Sequence, residues 1–256
     1  MSNELANKES FSTQLTTSLT DIKDALPKDL NVTRFVQNAV ALLNDNEQLK
    51  TFAQNNGTAQ IKQGILKSAY LGLDAINKEC YLIPYGNTLN FMIDYRGNIK
   101  LAKKYSIRPI KDIYAKIVRE GDNFEEKIVN GEPTIDFTPK PFNDGKIIGA
   151  FAVCLFKDGG MIYDTMSIKD LENTRSSSKT KNGPAWQKFT GEMYKKTVLH
   201  RLCKHIELEF DTPQQKEYFT EDVEIETDTQ KLVEREIEEN ANAVEFEFVD
   251  GEIVEE

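Results

Sequence analysis

The stretch that decides the fold is IIGAFAVCLFKDGGMIYDTM, residues 147–166. An apolar run, Ile147–Phe156, leads into the turn sequence Asp158-Gly159-Gly160, and a second run, Met161–Met166, follows it. Two β-like runs joined by such a turn predict an antiparallel β-hairpin. The sequence therefore predicts an antiparallel sheet in the middle of the chain.

Further strand signals lie on the N-terminal side of this hairpin. Cys80–Tyr85 and Leu89–Asp94 are short β-like runs on either side of Gly86-Asn87, which predicts a second hairpin. Ile110–Arg119 and Phe124–Val129 have the composition of two more strands. All four runs lie between segments of helical periodicity.

Helical spacing of apolar residues marks both sides of the strand region. The predicted helices cover about Val32–Leu43, Ala59–Leu71 with Thr58 as a possible N-cap, Arg96–Lys104, a short segment opened by a Ser167/Asp170 capping box, and a long closing segment from Pro184 or Ala185 to about Ile206. The polar run Ser176–Gly183 is predicted to be a loop. The fold class is α+β, with a central, mostly antiparallel sheet flanked by helices and closed by the long helix.

Charge is distributed unevenly along the chain. The net charge is −10, but residues 207–256 hold 19 of the 42 acidic residues and three of the 32 basic ones, so the remainder is net basic. We predict a DNA-binding core over residues 31–211 and a flexible acidic tail over 212–256, with a small helix near Gln230–Glu239 as an alternative. Residues 1–30 are predicted to be an extension with one short amphipathic helix, used in oligomerisation. Such asymmetry favours nucleic-acid contact by the basic body.

Several kinds of chemistry lack their sequence signals. There is no GxxxxGK[ST] phosphate loop and no GxGxxG, so we expect no ATP and no other cofactor; magnesium is possible but nothing in the sequence indicates it. The three cysteines have no CxxC spacing, and no apolar run is long enough to span a bilayer. The N-terminus lacks the features of a secretory signal. We expect a cytoplasmic protein without membrane contact.

Two other functions remain open on the residues alone. A metal-dependent nuclease needs clustered carboxylates, and the candidates without recognisable spacing are Asp94, Asp122, Asp136 and Asp164. A protein-interaction adaptor would act through the acidic tail. His200 and His205 are five residues apart, which is not the spacing of a helical zinc site.

The first basic segment, Tyr95–Arg119, contains eight basic residues and one acidic residue. On the predicted helix four of them share one face: Arg96, Lys100, Lys103 and Lys104. Lys111 follows in the next strand, while Tyr95 lies on the opposite arc, which is available for the core. The alternative is an ordinary solvated face, although such faces usually mix charges of both signs.

The second basic segment, Arg175–Lys204, also contains eight basic residues and one acidic residue. Its candidate DNA-binding residues are Arg175, Ser176, Ser178, Lys179, Lys181, Trp186, Lys188, Lys195, Lys196, Arg201 and Lys204. Hydroxyls, lysines and backbone N–H groups of the loop suit phosphate oxygens. Trp186 either stacks on a base or anchors the helix in the core. If the sheet brings the two segments together, they line one groove that holds a nucleic-acid backbone with little sequence preference.

A series of short motifs resembles the RecT family of phage recombination proteins. The matches fall in order over about residues 66–206, and they are Leu71-Gly72-Leu73, Tyr81–Gly86, Tyr95-Arg96-Gly97, Leu101–Lys104, Glu120–Phe124, Asp158-Gly159-Gly160 with Met166, Arg175–Lys179, Gly183-Pro184 with Trp186, Glu192–Thr197, and Arg201-Leu202 with Lys204. Tyr105-Ser106 departs from the family pattern, and His200 stands where the family commonly has arginine. The second departure weakens one phosphate-contact assignment.

The resemblance implies an ATP-independent protein that anneals complementary single strands and has no covalent chemistry. It also implies rings or filaments of many subunits on single-stranded DNA and on the annealed duplex intermediate. The expected partners are an exonuclease and, in addition, a host single-strand binding protein.

Overall fold

The hairpin of residues 147–166 supplies the central strand and one edge strand of a three-stranded sheet in the computed structural model, which describes residues 2–178 and 181–221. Strands β6 (Ile147–Phe156) and β7 (Met161–Ser167) pair antiparallel, and β3 (Ile110–Arg119) pairs with the other edge of β6. Val153 lies opposite Tyr114 on one side and Tyr163 on the other. The predicted central hairpin is confirmed.

Two further hairpins form separate two-stranded sheets. Strands β1 (Cys80–Tyr85) and β2 (Thr88–Ile93) form the first, and β4 (Asn123–Val129) and β5 (Glu132–Thr138) form the second. The α+β class is confirmed, but the strands of the described residues form three small antiparallel sheets rather than one. Strand β5 was not predicted, because its Pro133 and acidic residues weaken the strand signal.

In the chain, the helices of the described residues precede the strands, separate β2 from β3, and follow β7. They are α1 (Ser2–Asp21), a 3-10 turn (Lys23–Ala25), α2 (Val32–Asp45), α3 (Glu47–Asn56), α4 (Ala59–Leu71), α5 (Tyr95–Tyr105), α6 (Ile168–Ser177), α7 (Pro184–Lys188), α8 (Thr190–Cys203) and α9 (residues 213–221). Thr58 stands at the start of α4, but its side chain makes no capping hydrogen bond. The Ser167/Asp170 capping box of α6 is present as predicted.

The long closing helix was predicted as one element and is two. Phe189, between α7 and α8, has φ −130° and ψ 40°, which is not helical, and its side chain is exposed. Helix α6 also runs to Ser177, so the loop predicted from Ser176 begins at Ser178 instead. The break at Phe189 and the end of α6 at Ser177 depend on local backbone geometry, which cannot be predicted from the spacing of apolar residues.

Strand β6 is apolar, and both of its faces are covered beyond the exposed Ile148. Ala152 and Cys154 face the core formed with Val198 and Leu202 of α8. On the other face, the ring of Phe151 lies 5.2 Å from that of Phe124 and 5.0 Å from that of Phe137, on β4 and β5. Neighbouring side chains of a strand point to opposite faces, so burial on both sides requires an unbroken apolar run.

A second core joins the N-terminal helices to the β1–β2 hairpin and α5. Leu15 and Leu19 of α1 are fully buried in it, together with Leu49 and Ile61. Residues of the predicted N-terminal extension therefore contribute to the folded body. An oligomerisation role for them stays a prediction.

The C-terminal part of the described chain also packs on the body. Gln215 of α9 is fully buried and its Nε2 donates to the Tyr70 carbonyl oxygen at 2.9 Å and to the Tyr105 hydroxyl at 3.2 Å. Lys67 pairs with Glu221 at the end of α9. The boundary that we predicted at residue 211 thus lies before a packed helix. The helix proposed near Gln230–Glu239 lies outside the described residues. None of the described helices is long and apolar enough to cross a membrane.

Candidate nucleic-acid interface

The start of α5 is fixed by a cap and by a close backbone approach. The Asp94 side chain accepts from the Arg96 backbone N–H at 3.5 Å. Gly97 sits so near β1 that a Cβ there would lie 2.1 Å from the carbonyl oxygen of Glu79. Any side chain at position 97 would therefore push α5 away from the hairpin. This contact sets the position of Tyr95 and Arg96.

The two basic segments meet at the ring of Tyr95. The Nε of Arg96 donates to the Tyr95 hydroxyl at 3.1 Å, and its guanidinium carbon lies 5.6 Å from the ring centroid. From the other segment, the Lys196 Nζ of α8 lies 5.1 Å from the same centroid. Both distances are in the range of cation–π contacts. We call Tyr95, Arg96 and Lys196 the junction cluster.

One turn further along, α5 and α8 are joined by a polar contact. The Nδ2 of Asn98, which is 4% exposed, lies 2.9 Å from the Nδ1 of His200, so the amide donates and the ring nitrogen accepts. His200 thus contributes to the packing of α5 against α8. The helices hold the junction cluster in place through this contact.

The remaining lysines of α5 make ion pairs within the chain. Lys100 Nζ donates to the Gly72 carbonyl oxygen and to Glu79, both at 2.7 Å. Lys104 Nζ lies 2.8 Å from Asp29, and its hydrogen bond is the main reason that the pKa of Asp29 is lowered. The weakest pair is Lys103 with Asp112, at 3.5 Å. These three lysines point to different parts of the body rather than forming one cationic face.

Arg175 organises the described part of the loop after α6. Its guanidinium lies 3.4 Å from Glu172, donates through Nε to the Lys181 carbonyl oxygen at 3.3 Å, and lies 5.7 Å from the centroid of Trp186. Ser176 donates to the Asn173 carbonyl oxygen at 2.7 Å within α6, while Ser178 ends the helix. Lys179 lies outside the described residues.

Trp186 occupies the core. Its side chain is 4% exposed and packs at 6.1 Å from the ring of Tyr194. The Tyr194 hydroxyl donates to Glu172, and burial, followed by this contact with a carboxylate, raises the tyrosine pKa to about 12. Of the two alternatives for Trp186, the structure places the ring where it anchors the helix.

The other predicted residues differ in how they are engaged. Lys195 pairs with Glu192, and Arg201 pairs with Asp164 and donates to the Thr165 carbonyl oxygen at 2.9 Å. Lys204 is half-buried at the end of α8. Within residues 2–178 and 181–221, the predicted basic side chains that are exposed and have no ion-pair partner are Arg96, Lys111, Lys181 and Lys188. The predicted set is therefore divided between structural ion pairs and available cations.

The carboxylates considered for a nuclease lie in separate places, each with its own partner. Asp94 caps α5, Asp136 pairs with Lys127, and Asp164 holds Arg201. Asp122 accepts from Asn143 and from the backbone N–H groups of Arg119 and Lys140; its pKa is lowered because these bonds together outweigh burial, the largest single effect. In the described part of the chain, no three His, Cys, Asp or Glu residues are grouped so as to hold a metal ion.

Sequence reasoning missed Tyr95 as a site residue, because helical spacing placed it on the core side. The structure leaves its ring partly buried and within about 6 Å of two cations. Tyr81, at the start of β1, was quoted only as part of a motif, yet it is 37% exposed beside this cluster. A tyrosine directly before a basic residue at a helix start was the available signal.

Taken together, these observations define an α+β protein with a tyrosine-centred cationic surface, the class of surface that suits a nucleic-acid backbone. The RecT family model matches residues 33–235. Protein RecT of Escherichia coli (strain K12) is 31% identical over 192 residues, which cover 71% of this chain and 69% of that protein. This chain belongs to the RecT family and, with it, to the recombination-related single-strand annealing proteins.

Proposed function

We propose that this chain binds single-stranded DNA without sequence preference and anneals complementary strands without ATP or another cofactor. The observation that carries the proposal is the junction cluster, where residues from segments about a hundred positions apart lie on one tyrosine ring. In the proposal, Arg96 and Lys196 bind phosphates of the strand. A backbone held in this way keeps the pairing edges of its bases available.

The proposed mechanism requires no covalent step. Several subunits align in a ring or filament, and their cationic surfaces form one track for the first strand. Neutralising phosphates removes most of the repulsion that opposes approach of a second strand. Base pairing then supplies the selectivity, because correct partners gain stacking and hydrogen bonds that mismatched strands lack. The same track retains the annealed duplex intermediate.

The cations of the second segment extend this surface in the proposal. Lys181 and Lys188 are exposed and available, and Arg175 sits at the described edge of the loop. Exonuclease and host single-strand binding protein are proposed as partners of the annealing reaction. The acidic residues beyond α9 are proposed to recruit them or to compete with DNA.

The test is an annealing assay with complementary oligonucleotides and no nucleotide. The wild-type chain should accelerate pairing, and Arg96→Glu with Lys196→Glu should remove most of the acceleration. The matched control is Lys23→Glu with Lys157→Glu, which changes the net charge equally at exposed positions outside both basic segments. No acceleration by the wild type, or equal losses in the two variants, would contradict the proposal.

Two additional readouts separate the alternatives. A nuclease would shorten labelled DNA in the presence of magnesium, whereas an annealing protein leaves strand length unchanged. An adaptor acting through the tail would not bind oligonucleotides at all, and deletion of residues 222–256 would abolish its function. That truncation leaves the packed α9 in place.

A further inference from the structure

The β1–β2 hairpin has one packed face and one aromatic face. Side chains alternate along a strand, so Cys80 and Leu82 point inward and are 0% and 7% exposed. Tyr81 and Tyr85 point the other way and are 37% and 36% exposed. We call the outward side, formed by Tyr81, Ile83, Tyr85, Asn90 and Met92, the hairpin outer face.

This face is held rigidly by α4 beneath it. Gln60 accepts from the Leu89 backbone N–H at 2.9 Å and donates to the Asn87 carbonyl oxygen at 3.0 Å, which fixes the turn end of the hairpin. Gly64 approaches the inner face so closely that a Cβ there would lie 2.5 Å from Leu82 Cδ2. The two tyrosines are therefore presented by a preorganised support rather than by a loose loop.

One end of the hairpin outer face adjoins the junction cluster. Burial raises the pKa of Tyr81. The negative charge of Asp94 raises it further and the positive charge of Arg96 lowers it, so the phenol lies near the charged residues at the start of α5. Met92 is directly opposite Tyr81 across the strands, and the chain passes from there to Asp94 and Tyr95. An aromatic surface thus continues into a cationic one.

That combination fits an unpaired nucleic-acid strand better than it fits another protein surface. Single strands present a continuous line of phosphates together with flat bases, and their binding proteins pair cations with aromatic rings for this reason. Tyr81 and Tyr85 are four residues apart, about 13 Å along a strand. Two separate rings at this distance offer two stacking positions beside one phosphate site.

We propose that the hairpin outer face stacks bases of the single strand whose phosphates are bound at the junction cluster. This inference rests on the proposed function and adds where the bases lie. Stacking uses the flat faces of the bases, so their pairing edges stay available to the second strand. Because every base has such a face, the contact adds affinity without sequence preference.

The experiment compares two ligands of equal length at fixed salt: an oligothymidine and an oligomer of abasic sites. Fluorescence anisotropy of labelled ligands gives the two affinities. The wild type should bind the oligothymidine more tightly. Tyr81→Ala with Tyr85→Ala should lower that affinity by about tenfold or more and leave abasic binding unchanged. Tyr81→Phe with Tyr85→Phe should retain binding, because the rings remain.

Tyr163→Ala is the matched control, since Tyr163 is a partly exposed tyrosine on β7 of another sheet. Equal wild-type affinity for the two ligands would overturn the inference while leaving the proposed function intact. The inference would also be overturned if the alanine variant lost the same affinity for both ligands. It would be overturned as well if that variant changed subunit association without losing affinity for the oligothymidine relative to the abasic oligomer. Failure of the wild type to bind either ligand would instead overturn the proposed function.

Discussion

The two basic segments have the same charge balance in the sequence but differ in what their charges do. In the first segment, Lys100 and Lys104 are tied to Glu79 and Asp29 at hydrogen-bond distance, and they brace α5 against the N-terminal body. In the second, Lys181 and Lys188 are exposed and have no carboxylate partner among the described residues. Arg96 of the first segment lies near the second, because it and Lys196 both contact the ring of Tyr95.

The difference teaches that the number of charges and the availability of charges are separate properties. A lysine that holds a half-buried carboxylate must release it before it can bind a phosphate, and the carboxylate then loses a partner. An exposed lysine has only solvent and counterions to displace. Binding is therefore expected to depend on the junction cluster and on cations without an ion-pair partner, while stability depends more on the paired cations, which occur in both segments.

The largest expected effect concerns Trp186, which belongs to the second segment but lies in the core. Trp186→Ala should lower the free energy of unfolding by about 3–5 kcal/mol, because a buried indole is removed and a cavity remains. Chemical denaturation followed by circular dichroism measures this, with Trp186→Phe as the milder control. If Trp186→Ala kept the wild-type stability but lost DNA binding, Trp186 would belong to the DNA interface and the prediction would be wrong.

An intermediate effect distinguishes bracing lysines from available ones. Lys100→Ala should cost about 1–2 kcal/mol of stability, because Glu79 and the Gly72 carbonyl lose a charged donor. Lys188→Ala should stay within about 0.5 kcal/mol of the wild type. Denaturant midpoints of the two variants give the answer.

In DNA binding, the order of the two substitutions should be reversed: Lys188→Ala should have the larger effect and Lys100→Ala the smaller. For each phosphate that a variant no longer neutralises, the slope of log affinity against log salt should fall by about 0.7 for single strands. Lys188→Ala is expected to show this fall and Lys100→Ala is not. The opposite order would show that the ion pairs of α5 open when DNA binds.

The smallest expected effect is the contribution of Tyr194 to stability at alkaline pH. Tyr194 and Arg175 both contact Glu172, so the tyrosine helps to hold the arginine in place. Its pKa is raised to about 12 from 10.0, so the folded state favours the protonated phenol. The resulting stability is fully present below about pH 10 and is lost as pH rises toward 12. Tyr194→Phe should flatten the part of the stability profile between these values, as measured by denaturation from pH 9 to 12. An unchanged profile would remove Tyr194 from the support of the loop.

Much of the fold could be predicted from local pattern. Turn residues and apolar runs located β1, β2, β3, β4, β6 and β7 to within a residue or so, because strand composition and tight turns are local properties. The pairing of β3 with β6 is not a local property. The helix α3 and the strand β5 were missed, since polar sequences gave no clear period. The break at Phe189 was missed because apolar spacing continues across it.

The candidate site was less accessible to sequence. The residues of both basic segments were named, and the motif series pointed to the RecT family that the family model supports. The importance of Tyr95 was not foreseen, because a side chain at the edge of a helix faces the core or a neighbour according to what packs beside it. The aromatic outer face of the β1–β2 hairpin likewise required knowledge of which face α4 covers.

The sequence by itself determined the α+β class, the two basic segments and the family, since these depend on composition, period and short motifs. Tertiary structure alone decided which cations are available, where Trp186 lies, and that Arg96 and Lys196 share one ring. The physical reason is that ion pairs, burial and cation–π contacts depend on distances between residues far apart in the chain. Lys100 meets Glu79 and Arg201 meets Asp164 only once the helices and strands have packed.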